Sequence, residues 1–384
     1  MKLYMTIILI VLHIPMSEVY ALDTLLNQDN IHVHTNSSNE QYKHTQTALN
    51  KTDQLMRRTR SLMGTYATIS LPQGNNNQIS SSFDLIQNIE DSLSTYDLNA
   101  TLAQLNKKHT VKYDNFLAES IKLSKLYYKE TDGFFDITIG AISKKLYHFG
   151  EEKTYSPSKD ELIKAHLNID GIHISKQTIQ SDENIVIDLG GMGKGYAVDK
   201  VVSYLKEQNI TKGIIALSGD IQCLNSCEIY LQSPYSTQTF AKVTSKNKYL
   251  SISTSGTYRR YATTRKEHHL INPKTSLQGR DFISVSLFTT ANNSKIDAYA
   301  TAISVMPKGK AIEFLKKLDD IGFIIVDSQS KIIYGNLDKL LKFEFLDYND
   351  TATMKSMSKN SKTKINIETS FIHPDIINPK VIRP

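Results

Sequence analysis

The sequence predicts an α+β fold: one large domain with a mixed, largely antiparallel sheet flanked by helices. Three observations carry that expectation. Segments of two-residue apolar alternation stand beside segments of helical spacing, in irregular order rather than as repeating strand–helix units. Hairpin signals recur between the strand candidates. With 384 residues, 40% hydrophobic and 22% charged, the chain has ample material for a sizeable core.

Taken in order, residues 1–21 have the proportions of a secretory signal. Lys2 precedes an apolar stretch from Leu3 to Met16, and Val19-Tyr20-Ala21 supplies a small-residue exit. No cysteine lies near Ala21, which speaks against a lipid anchor there, so the protein is expected to be exported, to a periplasmic or envelope location. Residues 22–60 are polar, with few apolar side chains and no period, and read as a flexible linker. Its His32 and His34 are two histidines of a polar tether rather than a metal site. The domain is expected over 61–346, followed by a polar, Lys/Ser/Thr-rich tail over 347–384.

Within the domain, Tyr66–Leu71 alternates like a strand and Phe83–Leu93 has helical spacing. Ser120–Glu130 reads as a second helix, stopped by Thr131-Asp132-Gly133. Ile185–Leu189 is a strand candidate, and Tyr196–Gln208 a helix with Val198, Val201, Val202 and Leu205 on one stripe. Further strands are expected at Gly213–Leu217, Glu228–Gln232, Ile283–Thr289, Gly322–Val326 and Lys331–Tyr334. Helices are expected over Lys295–Met306 and Ala311–Leu318.

Composition excludes little else. The 45 basic and 39 acidic residues give a net charge of only +6, scattered without a basic block, which argues against nucleic-acid binding. No apolar run has the length of a spanning helix. Two cysteines, Cys223 and Cys227, are compatible with one disulfide closing a small loop or with two free thiols, and make a poor zinc site.

The segment Asp188-Leu-Gly-Gly-Met-Gly-Lys-Gly-Tyr196 lies between a strand candidate and a helix candidate. Its glycines allow close backbone approach, the helix start offers N–H groups to an anion, and Lys194 adds a positive charge. Neither the dinucleotide fingerprint nor the P-loop fits the spacing, because Gly191, Gly193 and Gly195 are separated by single residues and Lys194 precedes Gly195 rather than Ser or Thr.

Five further segments accompany this loop: Met63-Gly-Thr65, Ser94-Thr-Tyr96, Thr131-x-Gly133-x-Phe135-Asp136-x-Thr138, Ser255-Gly-x-Tyr-Arg-Arg260 with His269-Leu-Ile271-Asn-Pro273, and Asp297-Ala-x-Ala-Thr301. In this order they resemble the FAD:protein FMN transferase (ApbE-like) family, from Met63 to Asn336. The resemblance implies an exported enzyme that splits FAD, attaches FMN by a phosphoester to a Thr or Ser of an acceptor flavoprotein, releases AMP and requires Mg²⁺. Typical acceptors of the family are membrane redox-complex subunits. By the same resemblance, flavin contacts fall on Met63, Tyr96, Phe134, Phe135, Asp136, Asp188, Lys194 and Ile271. Metal ligands fall on Asp297, Thr301 and the carbonyl of Gly191, and a general base on His269. The chain departs from the family pattern at Asn272, commonly Asp, at Ser276, commonly Gly, and at Ser218, where Gly is usual and where a serine is expected to hold φ below zero.

The residues by themselves leave alternatives open. Asp297 and Thr301, four apart on a helix, share a face suited to a hard cation. Ser294-x-x-Asp297 also reads as a capping box. Arg259 and Arg260 suit phosphate oxygens or plain solvent exposure, and either His268 or His269 could be the base. Tyr96, Phe134 and Phe135 suit a flat ring, with one phenylalanine or both equally at home in the core. Three functions compete: the transferase, an FAD pyrophosphatase on the same site, and a non-catalytic flavin carrier.

Overall fold

The computed structural model describes residues 55–346 except 248 and 259, together with the short strands Val33–His34 and Ile365–Glu368. Residues 1–21 and Arg259 lie outside the described residues, as does most of the expected linker and tail. Nine strands form the central sheet, in spatial order Ile365–Glu368, Ile332–Gly335, Gly322–Asp327, Phe282–Thr289, Leu250–Gly256, Asp220–Cys223, Ile214–Leu217, Thr65–Pro72 and Leu55–Leu62. Every recorded pair in it is antiparallel, and no parallel pair occurs among the described residues. A four-stranded sheet joins Val33–His34, Glu228–Gln232, Thr239–Ser245 and Leu341–Phe345, and a three-stranded one joins Thr110–Lys112, Thr178–Ser181 and Ile172–Ile174.

Alternation along the central strands decides the layers. Phe323 and Ile325 face one apolar core while Ile324 and Val326 face another. The first core is filled from the helices Asn76–Leu93, Asn115–Glu130, Gly193–Glu207 and Asn293–Val305. The second lies between the central and the four-stranded sheets and includes Ile229, Leu231, Phe240 and Val243. Because both faces of Gly322–Asp327 are covered, all of its residues are buried, as a strand inside a three-layer stack must be. Cys223 and Cys227 form a disulfide at the turn into Glu228–Gln232.

Two strand expectations change. Leu55–Leu62 is a strand and Val33–His34 pairs with Glu228–Gln232, so the stretch read as linker, His34 included, contains regular structure. Ile185–Leu189 belongs to no sheet. Its alternation is real, since Ile185, Ile187 and Leu189 are buried. Its backbone is satisfied otherwise: the Asn106 side chain accepts from Ile187 N–H at 2.7 Å and donates to the Ile187 carbonyl at 2.8 Å, and Asp188 N–H donates to the Ile137 carbonyl. This pinned segment delivers the chain to the glycine turn. Among the described residues, no helix is long and apolar enough to cross a membrane.

Candidate active site

The helices Gly193–Glu207 and Asn293–Val305 meet at their starts, and the site forms where they touch. A Cβ placed on Gly195 would lie 2.8 Å from the Asn293 carbonyl oxygen and 2.9 Å from the Asp297 Cβ, so only glycine lets the two backbones approach this closely. Asp297 Oδ2 accepts the Gly195 N–H at 3.1 Å and lies 3.4 Å from Lys194 Nζ. Lys194 Nζ is also 2.8 Å from Asp220 Oδ2. One turn along, Thr301 Oγ1 donates to the Gly191 carbonyl at 3.3 Å.

This geometry answers the capping question. The helix bearing Asp297 is not capped by its own Ser294–Asp297 pair, because its first N–H groups, from Asn293 and Ser294, donate to the Asp199 carboxylate at 2.7 and 2.9 Å. Asp297 instead accepts from the neighbouring helix. The first-turn N–H groups are correspondingly less open to an anion than expected, since Gly193 N–H donates to the Leu189 carbonyl and Gly195 N–H to Asp297. Burial first, then the Asp220 carboxylate, push Asp297 up to about 7, against Lys194 and the Gly195 N–H. Burial works against charge on Lys194 too, but Asp220 and Asp297 outweigh it and hold its ammonium above the ordinary lysine range.

A second cluster adjoins the turn. Asp188 Oδ1 accepts from Gly190 N–H at 2.9 Å, Oδ2 accepts from Ser143 at 2.7 Å and lies 3.9 Å from Lys144 Nζ. Burial opposes its charge, but Lys144, those two hydrogen bonds and His269 hold its carboxyl below the usual range. Lys144 Nζ also sits 4.0 Å from the centroid of Tyr96, which is 50% exposed. His269 directs both its N–H and its Nδ1 at the Arg260 carbonyl, at 3.1 and 3.2 Å. A carbonyl only accepts, so Nδ1 carries the proton and Nε2 keeps its lone pair. Desolvation, with Arg260 and His268 nearby, lowers His269 to about 4, which keeps the ring neutral near pH 7. His268 is buried with Nε2 on the Gly279 carbonyl at 2.8 Å and belongs to the loop's scaffold.

A family model described as the ApbE family matches residues 63–325. The chain belongs to the ApbE family. It is 26% identical over 302 residues to the FAD:protein FMN transferase of Klebsiella pneumoniae (strain 342), covering 74% of this chain and 93% of that protein. It is 29% identical over 248 residues to the FAD:protein FMN transferase of Buchnera aphidicola subsp. Baizongia pistaciae (strain Bp), covering 59% of this chain and 72% of the relative. In fold it is similar to the flavin transferase ApbE from Vibrio cholerae, with a TM-score of 0.62 at 21% identity over 76% of this chain and 97% of that one. The apbe protein from Thermotoga maritima superposes with a TM-score of 0.64 at 22% identity, over 71% of this chain and 94% of that one.

In this ApbE-family chain the expected site residues fall into three groups. Gly191, Lys194, Asp297 and Thr301 converge at the helix starts, as just described. Met63 joins them: it turns the hairpin between Leu55–Leu62 and Thr65–Pro72 with φ 53°, and its Cε is 3.8 Å from a Cβ built on Gly193. Tyr96, Asp188 and His269 form the second cluster. The rest are more embedded. Phe135 packs edge-on against Tyr127 and backs the Gly191 turn, while Phe134 is buried beneath Lys274, whose Nζ is 5.0 Å from its centroid. Asp136 Oδ1 accepts from the N–H and hydroxyl of Thr138, at 2.8 and 2.7 Å. Ile271 is buried with Ile142, Tyr147 and Phe149 in a small core under Tyr96, whose hydroxyl donates to the Phe149 carbonyl.

Sequence reasoning missed Lys144 and Asp199. Nothing in the sequence marks Lys144, whereas Asp199 repeats a spacing: Gly195 to Asp199 matches Asn293 to Asp297. The expectation for Ser218 also changes, since it holds φ 56°, and Ser276 holds φ 58°: serine keeps the left-handed backbone at both positions. Asn272 uses what an aspartate lacks, donating Nδ2 to the Val305 carbonyl at 2.9 Å.

Proposed function

We propose that this protein is an exported, Mg²⁺-dependent FAD:protein FMN transferase, joining FMN to a Thr or Ser hydroxyl of an acceptor flavoprotein and releasing AMP. The observation that carries it is the convergence of Asp297, Thr301 and the Gly191 carbonyl beside Lys194, in a chain of this family. The donor set fits Mg²⁺: a carboxylate, a hydroxyl and a carbonyl are all hard oxygens, and Mg²⁺ keeps waters in its remaining positions. Among the described residues no group of three or more His, Cys, Asp or Glu side chains gathers as a metal cage, so the proposed site depends on the neutral oxygens as well. Asp297 Oδ2 is committed to Gly195 and Lys194, and Oδ1 has no recorded partner among the described residues. With Asp297 ionised, Asp220, Lys194 and Asp297 together carry one net negative charge, which a divalent cation reverses in favour of a pyrophosphate.

Bound there, Mg²⁺ supplies charge neutralisation for the phosphoryl oxygens during transfer. The acceptor hydroxyl oxygen forms a bond to the phosphorus on the FMN side, and the bond from that phosphorus to the bridging oxygen breaks. The bridging oxygen leaves with AMP. His269 Nε2 takes the hydroxyl proton, and the Arg260 carbonyl on Nδ1 holds the ring in the required tautomer. Tyr96, with Lys144 against its face, and Met63 at the hairpin flank the place for the isoalloxazine. Export is supported by the signal-like residues 1–21, and with it an acceptor that presents its Thr or Ser outside, such as a subunit of a membrane redox complex.

Incubation with FAD, Mg²⁺ and a threonine-bearing acceptor tests the reading. Flavin fluorescence on the acceptor band, with one AMP released per flavin attached and none in EDTA, is expected. Free FMN and AMP without a labelled acceptor would assign water as the nucleophile and make the protein a pyrophosphatase. Unchanged FAD would leave a flavin carrier.

A further inference from the structure

The two helices of the site hold each other by a reciprocal pair of carboxylates, and one member of that pair takes no part in the chemistry above. Asp199, on the helix Gly193–Glu207, accepts the Asn293 N–H with Oδ1 at 2.7 Å and the Ser294 N–H with Oδ2 at 2.9 Å. Asp297, on the helix Asn293–Val305, accepts the Gly195 N–H at 3.1 Å. Each acceptor stands four residues after the donor on its own helix, Gly195 to Asp199 and Asn293 to Asp297, so the arrangement is close to two-fold. Neither helix has a cap from its own flank, since Met192 and Asn292 make no side-chain capping bond. N–H groups that a helix start leaves without partners are here met by the opposite helix.

We propose that Asp199 is a positioning residue for the metal site: it sets the register of the helix carrying Asp297 and Thr301 against the turn carrying Gly191 and Lys194. This rests on the metal reading of Asp297 and Thr301 given above. Oδ2 of Asp297 reaches Gly195 only while the helix starts stay at this spacing, and that bond leaves Oδ1 as the oxygen open to a cation. Thr301 lies one turn further along the same helix, so a slip of the helix moves its hydroxyl off the Gly191 carbonyl as well. Gly195 sets how near the helices come, and Asp199 sets where along their axes they meet. Anchorage to the sheet is separate: Asn293 Nδ2 donates to the carbonyls of Ile221 and Ile252 at 2.9 and 3.0 Å. Loss of Asp199 therefore frees the contact between helices while the helix stays on the sheet. A plain cap would lower stability and nothing more, whereas a positioning residue transmits its loss across the clasp to Gly195 and to the cation.

Two readouts separate these roles in Asp199→Ala and the near-isosteric Asp199→Asn. NMR-detected amide exchange at Gly195, without metal or flavin, should accelerate at least tenfold, although the substituted residue touches the other helix. Calorimetric titration with Mg²⁺ in the presence of FAD should show half-saturation raised at least fivefold, with FAD affinity within twofold of wild type. Ser203→Ala, which removes an exposed hydroxyl that donates at 3.0 Å to the Asp199 backbone carbonyl within its own helix, should leave both readouts unchanged. Unaltered Gly195 exchange and Mg²⁺ affinity in a variant that melts lower would reduce Asp199 to a cap and overturn the proposal. If Asp199→Ala does not fold, Asp199→Asn carries the comparison. A wild-type protein that binds no Mg²⁺ would remove the metal reading first, and this role of Asp199 with it, whatever Gly195 does.

Discussion

On one side of the site, Asp297, Thr301 and Lys194 project from two helices tied carboxylate to amide at their starts. On the other, His269 stands on a loop that is held by isolated bridges, Tyr261 with His268 and Ile271 with Gln278, and by the Arg260 carbonyl. A fourth tie, Asn272 to the Val305 carbonyl, fastens that loop to the far end of the helix bearing Asp297. The helical half takes its precision from backbone contact at a glycine. The loop half takes its precision from single side-chain-to-backbone bonds and tolerates strain, as Ser276 at φ 58° shows. Substitutions in the first half should therefore stop chemistry or cost much stability, and those in the second should tune rate or stability by steps.

The largest effect is expected at Asp297. Asp297→Ala removes the one charged ligand of the proposed cation, so AMP release should fall at least ~1,000-fold, about 4 kcal/mol of barrier, with FAD still bound. Near-normal turnover across a Mg²⁺ titration would break the division of labour. In the loop half, His269→Gln should slow transfer by roughly 100- to 1,000-fold while leaving the Mg²⁺ requirement unchanged, which steady-state rates against Mg²⁺ would show. The same variant carries a pH signature. Folding lowers His269 from 6.5 to about 4, desolvation first, so between those values the unfolded chain binds a proton that the folded chain refuses. Stability is therefore present above the unfolded value and falls as pH drops through this window. In His269→Gln the plot of Tm against pH should be flatter there, and an identical slope would place the acid sensitivity elsewhere.

Lys194→Ala leaves Asp220, only 1% exposed, without its cation, and should cost about 3 kcal/mol in denaturant unfolding. A loss under about 0.5 kcal/mol, the level of an exposed pair, would contradict the buried pairing. Gly195→Ala forces apart helices that touch within 2.9 Å of the added carbon and should cost about 2 kcal/mol by overpacking, with weakened Mg²⁺ binding. Ser276→Gly is the smallest and opposite in sign. It relieves a left-handed serine and should raise stability by about 0.5 kcal/mol, part of the gain being offset by glycine's unfolded-state entropy. A fall in Tm would mean that the serine side chain has a role its backbone does not reveal.

The helical half was the more legible in sequence. A period-3.6 stripe marks the helix of Lys194, and the spacing of Asp297 and Thr301 gives a shared face on the other, because helix geometry is local. Which helix Asp297 caps was not legible, since that depends on an N–H contributed from 102 residues away. Ile185–Leu189 misled for a related reason: alternation reports which side chains are buried, but not whether an Asn106 side chain or a neighbouring strand takes the backbone bonds. Leu250–Gly256, whose apolar alternation in LSISTSG stops at Ile252, and Leu55–Leu62, exposed over most of its length and without alternation, escaped for want of a sustained pattern. Asp136 and Ile271 came from motif alone, and their surroundings are those of a local cap and a small core. Lys144 left no sequence signal, because it gains meaning only when the chain brings it to Asp188 and Tyr96.

Direct cation binding tests the central claim with fewest intermediates. Manganese(II) titrated into the FAD-bound protein and followed by electron paramagnetic resonance should show one site per chain that Mg²⁺ displaces. That site should be absent in Asp297→Ala, weakened in Thr301→Ala, and unchanged in His269→Gln. Equal manganese binding by wild type and Asp297→Ala would contradict the account, and the metal would have to be sought away from the helix pair.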